Sequence, residues 1–393
     1  MSSAKNIFKK YQAQTFPYPS CLEVESASGS YIRDTDGKEY LDFVAGVSAC
    51  PLGHTNPIVT QAIKNQLDKY LHVMVYGEYL QSPQYRLAEL LANNLPKSLD
   101  CTYFTNSGTE AIEGAMKLAK RATGRSEIIS CTNSYHGSTQ GALSIMGNED
   151  QKANYRPLLP NCNQIIFNDE NSLANITVKT AAVVIEPIQG GSGFITPIND
   201  FLQKVRERCN ATGTLLIFDE IQTCYGRLGT LFGFEKYNVT PDILCIAKGM
   251  GGGMPIGAFI SSWDLMNLLT FSPQLGHITT FGGHPVNCSA SLATLDYLLI
   301  NDLMQKIEKK EALFRKHLTH PKIKEIRGCG LMLALEFDDE ALSNNVVEKA
   351  LEKGLILFYF LFCKTAVRIT PPLNITDDDI IKGCEIIKEI LNA

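Results

Sequence analysis

Two stretches decide the fold: Thr214-Leu-Leu-Ile-Phe-Asp219 and Asp242-Ile-Leu-Cys-Ile-Ala-Lys248. Each is a short apolar run without polar alternation, and each ends in a charged side chain. A strand with one wet face alternates apolar and polar residues. An unbroken run instead predicts a strand covered on both faces. Glu127-Ile-Ile-Ser-Cys131 and Ala181-Ala-Val-Val-Ile185 repeat the pattern. Segments between the runs, such as Asp200-Phe-Leu-Gln-Lys-Val-Arg-Glu-Arg-Cys209, predict helices. Strands alternating with helices specify an α/β fold, a mostly parallel sheet covered by helices.

In such a sheet, ligands bind beyond the carboxyl ends of the strands. Lys248, Asp219 and Glu186 stand at three of those ends, and Tyr135 and His136 lie just past a fourth. Lysine is costly to bury. A partly desolvated lysine has a lowered pKa and can form a Schiff base with an aldehyde. A lysine and an aspartate at matching strand ends meet the needs of a pyridoxal phosphate site. The plainer readings are a helix N-cap for Asp219 and a packed, hydrogen-bonded ring for His136.

Cys101-Thr-Tyr-Phe-Thr-Asn-Ser107-Gly108-Thr109-Glu110 predicts a strand, a small-residue turn and a helix. Backbone N–H groups at a helix start suit a phosphate. Plain N-capping by Ser107 or Thr109 is the alternative. The glycine-rich stretch Gly249 to Gly257 follows Lys248 directly. It matches neither G-x-G-x-x-G nor a P-loop, and instead lets backbone approach a flat cofactor closely.

The chain has 393 residues, enough for two domains. Residues 49–295 are expected to form a large cofactor-binding α/β domain. Residues 1–48 with 296–393 are expected to form a smaller α+β domain. There the pattern predicts a long charged helix over 295–318 and a glycine turn within Ile326–Glu336. A helix over 344–353, an apolar strand and a last helix over 377–391 follow. Charges of 36 basic and 41 acidic residues leave a net −5, which argues against nucleic acid or an anionic membrane as partner. The longest apolar run, Leu355 to Cys363, is far short of a membrane span. The start of the chain lacks the apolar core of a secretory signal. The twelve cysteines include no CxxC pair, so neither a metal site nor a disulfide framework is expected. Reduced thiols in a cytoplasmic protein are the simplest reading.

Seven segments then carry a resemblance: Asn106-Ser-Gly-Thr-Glu-Ala111, Ser134-Tyr-His-Gly137, Glu186-Pro-Ile-Gln-Gly190, Phe218-Asp-Glu-Ile-Gln222 with Gly226-Arg227, Ala247-Lys-Gly-Met250, Thr279-Thr-Phe-Gly-Gly283 and Val367-Arg-Ile-Thr-Pro-Pro-Leu373. In this order and spacing the chain resembles, nearly end to end, the class III, fold-type I pyridoxal-phosphate aminotransferases of the acetylornithine/ornithine type. The resemblance implies that Lys248 carries the Schiff base and moves the proton during transfer. It implies that Asp219 pairs with the pyridine nitrogen, Gln222 bonds the phenolic oxygen and Tyr135 stacks on the ring, with His136 nearby. Ser107, Gly108 and Thr109 would hold the phosphate. Thr280 would reach the phosphate of the partner subunit, so a homodimer with shared active sites is expected. Arg368 would bind the substrate carboxylate, and Glu186, beside the cofactor, would pair with Arg368 when an amine end enters.

The implied reaction passes an amino group from an ω-amino or amino-acid donor, such as acetylornithine or ornithine, to a keto acid. Alternatives are an aminomutase of the glutamate-1-semialdehyde type and an amine or ω-amino acid–pyruvate aminotransferase. Acetylornithine and ornithine aminotransferases commonly carry His-Gly-Arg-Thr where this chain has His136-Gly-Ser138-Thr139. Thr15 stands where ornithine aminotransferases carry a tyrosine. The aromatic run Leu357 to Cys363 reads first as a core strand and turn, and secondarily as the lining of an apolar pocket.

Overall fold

The computed structural model describes residues 3–393. Near the N-terminus β1 (Val24–Ser28), β2 (Tyr31–Asp34) and β3 (Glu39–Asp42) pair antiparallel in sequence order. The first turn needs Gly29 and the second Gly37, at φ of +57° and +84°, a region that costs glycine nothing.

The central sheet has seven strands. They are β4 (Cys101–Thr105), β5 (Glu127–Cys131), β6 (Cys162–Ile165), β7 (Thr180–Ile185), β8 (Leu215–Asp219), β9 (Ile243–Ile246) and β10 (Gly257–Ser261). Their spatial order is β4-β10-β9-β8-β7-β5-β6. β5 to β9 are parallel to one another, while β10 runs antiparallel to both β4 and β9. Every residue of β7, β9 and β10 is buried, as unbroken apolar runs require. The helix Gly108–Thr123 covers one face, with Ile112, Ala115, Met116 and Ala119 inside. The helix Phe201–Thr212 buries Phe201, Leu202, Val205 and Cys209.

The C-terminal part adds β11 (Glu325–Cys329), β12 (Met332–Glu336), β13 (Leu355–Ile356), β14 (Phe358–Tyr359) and β15 (Ala366–Ile369). The order β11-β12-β15-β14 makes a third, antiparallel sheet. The run 355–363 is therefore not one core strand. β13 pairs parallel with β3, and β14 crosses to pair with β15. Leu355, Leu357 and Phe360 are buried, whereas Phe358 and Leu361 are exposed.

The expected helix over 295–318 is two helices, Pro285–Ile300 and Ile307–His317. Asn301 ends the first: its backbone turns extended and its Nδ2 donates to the Tyr297 carbonyl at 2.8 Å. An asparagine side chain competing for helix carbonyls is a known stop. The next helix starts at Glu340, where Asp339 accepts the Leu342 N–H at 2.8 Å. One large apolar cluster joins the central sheet to the C-terminal elements through residues such as Phe218, Leu298, Phe314 and Ile387. Among the described residues no helix is long and apolar enough to cross a membrane, and all twelve cysteines are free thiols.

Candidate active site

The parallel strands deliver their carboxyl ends to one edge. Register sets Ile185 beside Phe218 and Asp219 beside Cys245. Glu186, Asp219 and Lys248 therefore leave three adjacent strands side by side.

Asp219 is buried. Its Oδ1 accepts the Ile221 N–H at 3.1 Å, and its Oδ2 lies 2.8 Å from His136 Nδ1. His136 is buried, with Nε2 lacking any partner. Burial works against charging this imidazole. The hydrogen bond to Asp219, with the charges of Asp219 and Glu186, outweighs it and raises the pKa. The histidine thus backs the carboxylate. Glu186 accepts N–H bonds from Gly190 at 3.0 Å and Tyr135 at 3.3 Å. Burial, with Asp219 nearby, pushes its carboxyl above the ordinary range, and His136 opposes the shift. The neighbouring Glu220 turns away and accepts the Phe234 N–H at 2.7 Å.

Lys248 opens a single helical turn, 248–251, at φ +45°, a region unfavourable for a long side chain. Desolvation lowers the pKa of its ammonium. Asp219 and Glu186 oppose that shift and Arg368 adds to it. Asp219, Glu186 and Arg368 therefore all act on Lys248 in one pocket. Arg368, on β15, is buried, and desolvation alone lowers its pKa to about 10.

The remaining expected residues surround this group. Gln222 Nε2 donates to Ser48 Oγ at 3.3 Å, and its Oε1 faces Gly190 so closely that a Cβ there would sit 2.7 Å away. Tyr135 is half-buried, its hydroxyl 3.2 Å from Ser138 Oγ. Ser107 accepts the Glu110 N–H at 3.3 Å, so the capping reading holds beside any anion role. The Thr109 hydroxyl lies 2.8 Å from that of Thr139. Gly137, at φ +128°, leaves no room for a Cβ, which would lie 2.2 Å from Thr109 Oγ1. Thr280 stands apart and is exposed. Glu186 and Arg368 make no ion pair: the glutamate is committed to backbone N–H groups instead.

Two contributors escaped the sequence reading. Ser48 ends a left-handed turn, Ala45 to Ser48, with all four φ angles positive. Phe194 packs on Arg368. Gly46 and Gly193 hint at unusual backbone nearby, but nothing local names Ser48 or Phe194 as site residues.

The residues present fit pyridoxal phosphate. A ring cation needs the buried acid Asp219, an aldehyde needs an amine of lowered pKa, and a phosphate needs the N–H groups at the start of helix Gly108–Thr123. Among the described residues no group of three His, Cys, Asp or Glu side chains could hold a metal.

The class III aminotransferase family matches residues 13–391. The chain belongs to the class III aminotransferases. Acetylornithine aminotransferase of Clostridium acetobutylicum is 37% identical over 93% of this chain and 95% of its own length. That of Methanocaldococcus jannaschii is 38% identical over 95% and 94%. Among solved structures, ornithine aminotransferase from Toxoplasma gondii ME49 superposes with a TM-score of 0.91 at 31% identity, covering 99% of this chain and 94% of that one. An amine transaminase from an uncultivated Pseudomonas species, in a pyridoxal-phosphate-bound form, gives 0.89 at 28% identity, covering 97% and 99%. This class III aminotransferase has the fold-type I architecture and catalyses pyridoxal-phosphate-dependent transamination.

Proposed function

We propose that this aminotransferase takes an ω-amino or amino-acid donor bearing a carboxylate, of the acetylornithine or ornithine kind, and passes the amino group to a keto acid. The observation that carries this reading is the pocket itself: Lys248 of lowered pKa beside the Asp219–His136 pair and the unpaired cation Arg368. The curated relatives' names point the same way.

Pyridoxal phosphate, when bound, supplies a sink for the electron pair left when the substrate carbon loses its proton. Asp219, oriented by His136, keeps a proton on the ring nitrogen. His136 acts through Asp219, not on the substrate. The free amine of Lys248 would take the proton from the substrate carbon and give it to the cofactor carbon C4′. Gln222, steadied by Ser48, would bond the phenolic oxygen, and Tyr135 would cover the ring. Ser107, Gly108 and Thr109 would cradle the phosphate. Arg368 would hold the substrate carboxylate.

The assembly is a homodimer in this reading. Leu71, Tyr79, Leu80 and Tyr85 are exposed, as are Phe271, Ile278 and Phe281, and the rings of His72 and Phe281 lie 4.8 Å apart. Exposed apolar surface of this kind marks an interface. Thr280, exposed next to Phe281, would serve the partner's phosphate. A cytoplasmic setting suits the free thiols.

Lys248→Ala should keep the cofactor non-covalently and lose at least ~10³-fold in turnover. Borohydride reduction followed by mass measurement should find cofactor fixed to the wild type and not to the variant. Near wild-type turnover by Lys248→Ala would reject the assignment. A second reading, an amine or ω-amino acid–pyruvate enzyme, draws on Ser138, which bonds Tyr135 where acetylornithine enzymes place an arginine. Titrating acetylornithine, ornithine, 4-aminobutyrate and β-alanine against cofactor absorbance separates the two.

A further inference from the structure

Arg368 is held differently from the other sheltered arginines. Arg227 donates to the carbonyls of Leu331 at 3.0 Å and Pro371 at 2.5 Å. Arg327 donates to Glu336 at 2.6 Å. Arg368 makes no ion pair among the described residues. Its Nε is buried without a partner, and no carboxylate acts on its pKa. Its β-sheet neighbours, Ala334 and Phe358, offer no anion.

Two rings hold it instead. The guanidinium carbon lies 5.0 Å from the ring centre of Phe360 and 5.6 Å from that of Phe194. The rings meet edge to face, 4.7 Å apart at 85°. Both distances fall within cation–π range. Phe194 stands at φ +56°, an unfavourable conformation for a bulky residue that persists only where its surroundings impose it. The surroundings here do impose it. Gln189 N–H bonds the Ile195 carbonyl at 3.0 Å and closes the hairpin. Arg327 Nε donates to the Gly193 carbonyl at 3.0 Å, and Phe362 N–H to that of Gly191 at 3.0 Å.

We propose that Phe194 and Phe360 are positioning residues that form an aromatic clamp on one side of the Arg368 guanidinium, keeping it ready for a substrate carboxylate without an acidic partner to displace. The inference rests on the carboxylate role proposed for Arg368. A carboxylate approaches in the guanidinium plane, where the N–H groups point. The rings form no hydrogen bond with those N–H groups, whereas a glutamate bonded to them would have to swing aside for each carboxylate. The fixed N–H bonds of Glu186 agree with a site that needs no such swing. Core packing alone explains apolar side chains here, since both rings belong to an apolar cluster with Leu228, Met332 and Ala366. It does not explain a strained backbone that brings a ring face to a cation.

The test is binding, not turnover. Holoenzyme is titrated calorimetrically with hexanoate and with hexanamide, which share a shape and differ in charge. Wild type should prefer hexanoate. Phe360→Leu keeps an apolar filler and removes the ring, and should cut that preference roughly 3- to 10-fold with the amide little changed. Pentafluorophenylalanine at position 360 keeps the ring's shape and reverses its quadrupole, and should cut the preference likewise. Equal weakening of both probes by Phe360→Leu, or full preference with the fluorinated ring, overturns the clamp. A wild type that does not discriminate overturns the carboxylate role of Arg368, and the clamp with it.

Discussion

Lys248 and Asp219 were legible from sequence because an apolar strand ending in a charge leaves a polar group where the sheet stops. How their partners tune them was not. His136 reaches Asp219 from 83 residues away, and Ser48 reaches Gln222 across 174. The pair His54 and Asp42 shows the same limit. His54 Nε2 lies 2.7 Å from Asp42 Oδ2, and Asp42 also accepts the N–H groups of Val44 and Ala45 at 2.7 and 3.1 Å. The pair thus anchors the left-handed turn that presents Ser48. Asp42 first, then Cys50, raises the His54 pKa from 6.5 to about 10 against the cost of burial. A raised histidine pKa stabilises the fold fully below the unfolded value of 6.5 and stops doing so as pH climbs to about 10. His54→Gln should therefore lower Tm by a few degrees at pH 6, on the order of 1–3 kcal/mol. Thermal scans should show that gap closing by pH ~10. A gap that is constant with pH would mean the imidazole acts by shape alone.

At the scale of elements, strands were read better than helices. Buried parallel strands have an unbroken apolar pattern, while the two helices across 285–317 have continuous helix-forming residues and differ only where Asn301 turns on its own carbonyls. The run 355–363 was misread because one apolar pattern serves two sheets. Packing also overrules propensity within helix Gly108–Thr123. Alanine is a better helix former than glycine by about 1 kcal/mol. A Cβ at Gly114, however, would meet the Phe259 ring at 2.3 Å, and Phe259 is wholly buried on β10. Overpacking of about 1–3 kcal/mol should win. Gly114→Ala should lower the denaturation midpoint; a raised midpoint would show that β10 gives way.

At the scale of the molecule, the proposed homodimer would cover exposed apolar residues within 71–85 and 271–281. Light scattering should read about twice the chain mass of 43.4 kDa. Leu80 is 95% exposed. Leu80→Asp should shift the mass toward the monomer and lower activity with it, because Thr280 would then lack a neighbouring site. Full activity in a monomeric variant would reject the shared-site assembly.

The sequence by itself determined the α/β architecture, the strand ends that carry Lys248, Asp219 and Glu186, and the membership those motifs imply. Hydrophobic period and chain-local motifs suffice for that, since both are properties of consecutive residues. Only the tertiary structure decided that His136 stands behind Asp219, that Glu186 is bound to backbone rather than to Arg368, and that Phe194 and Phe360 pack against the guanidinium. Those contacts join segments distant in sequence, and their geometry follows from how the strands register and the hairpin closes.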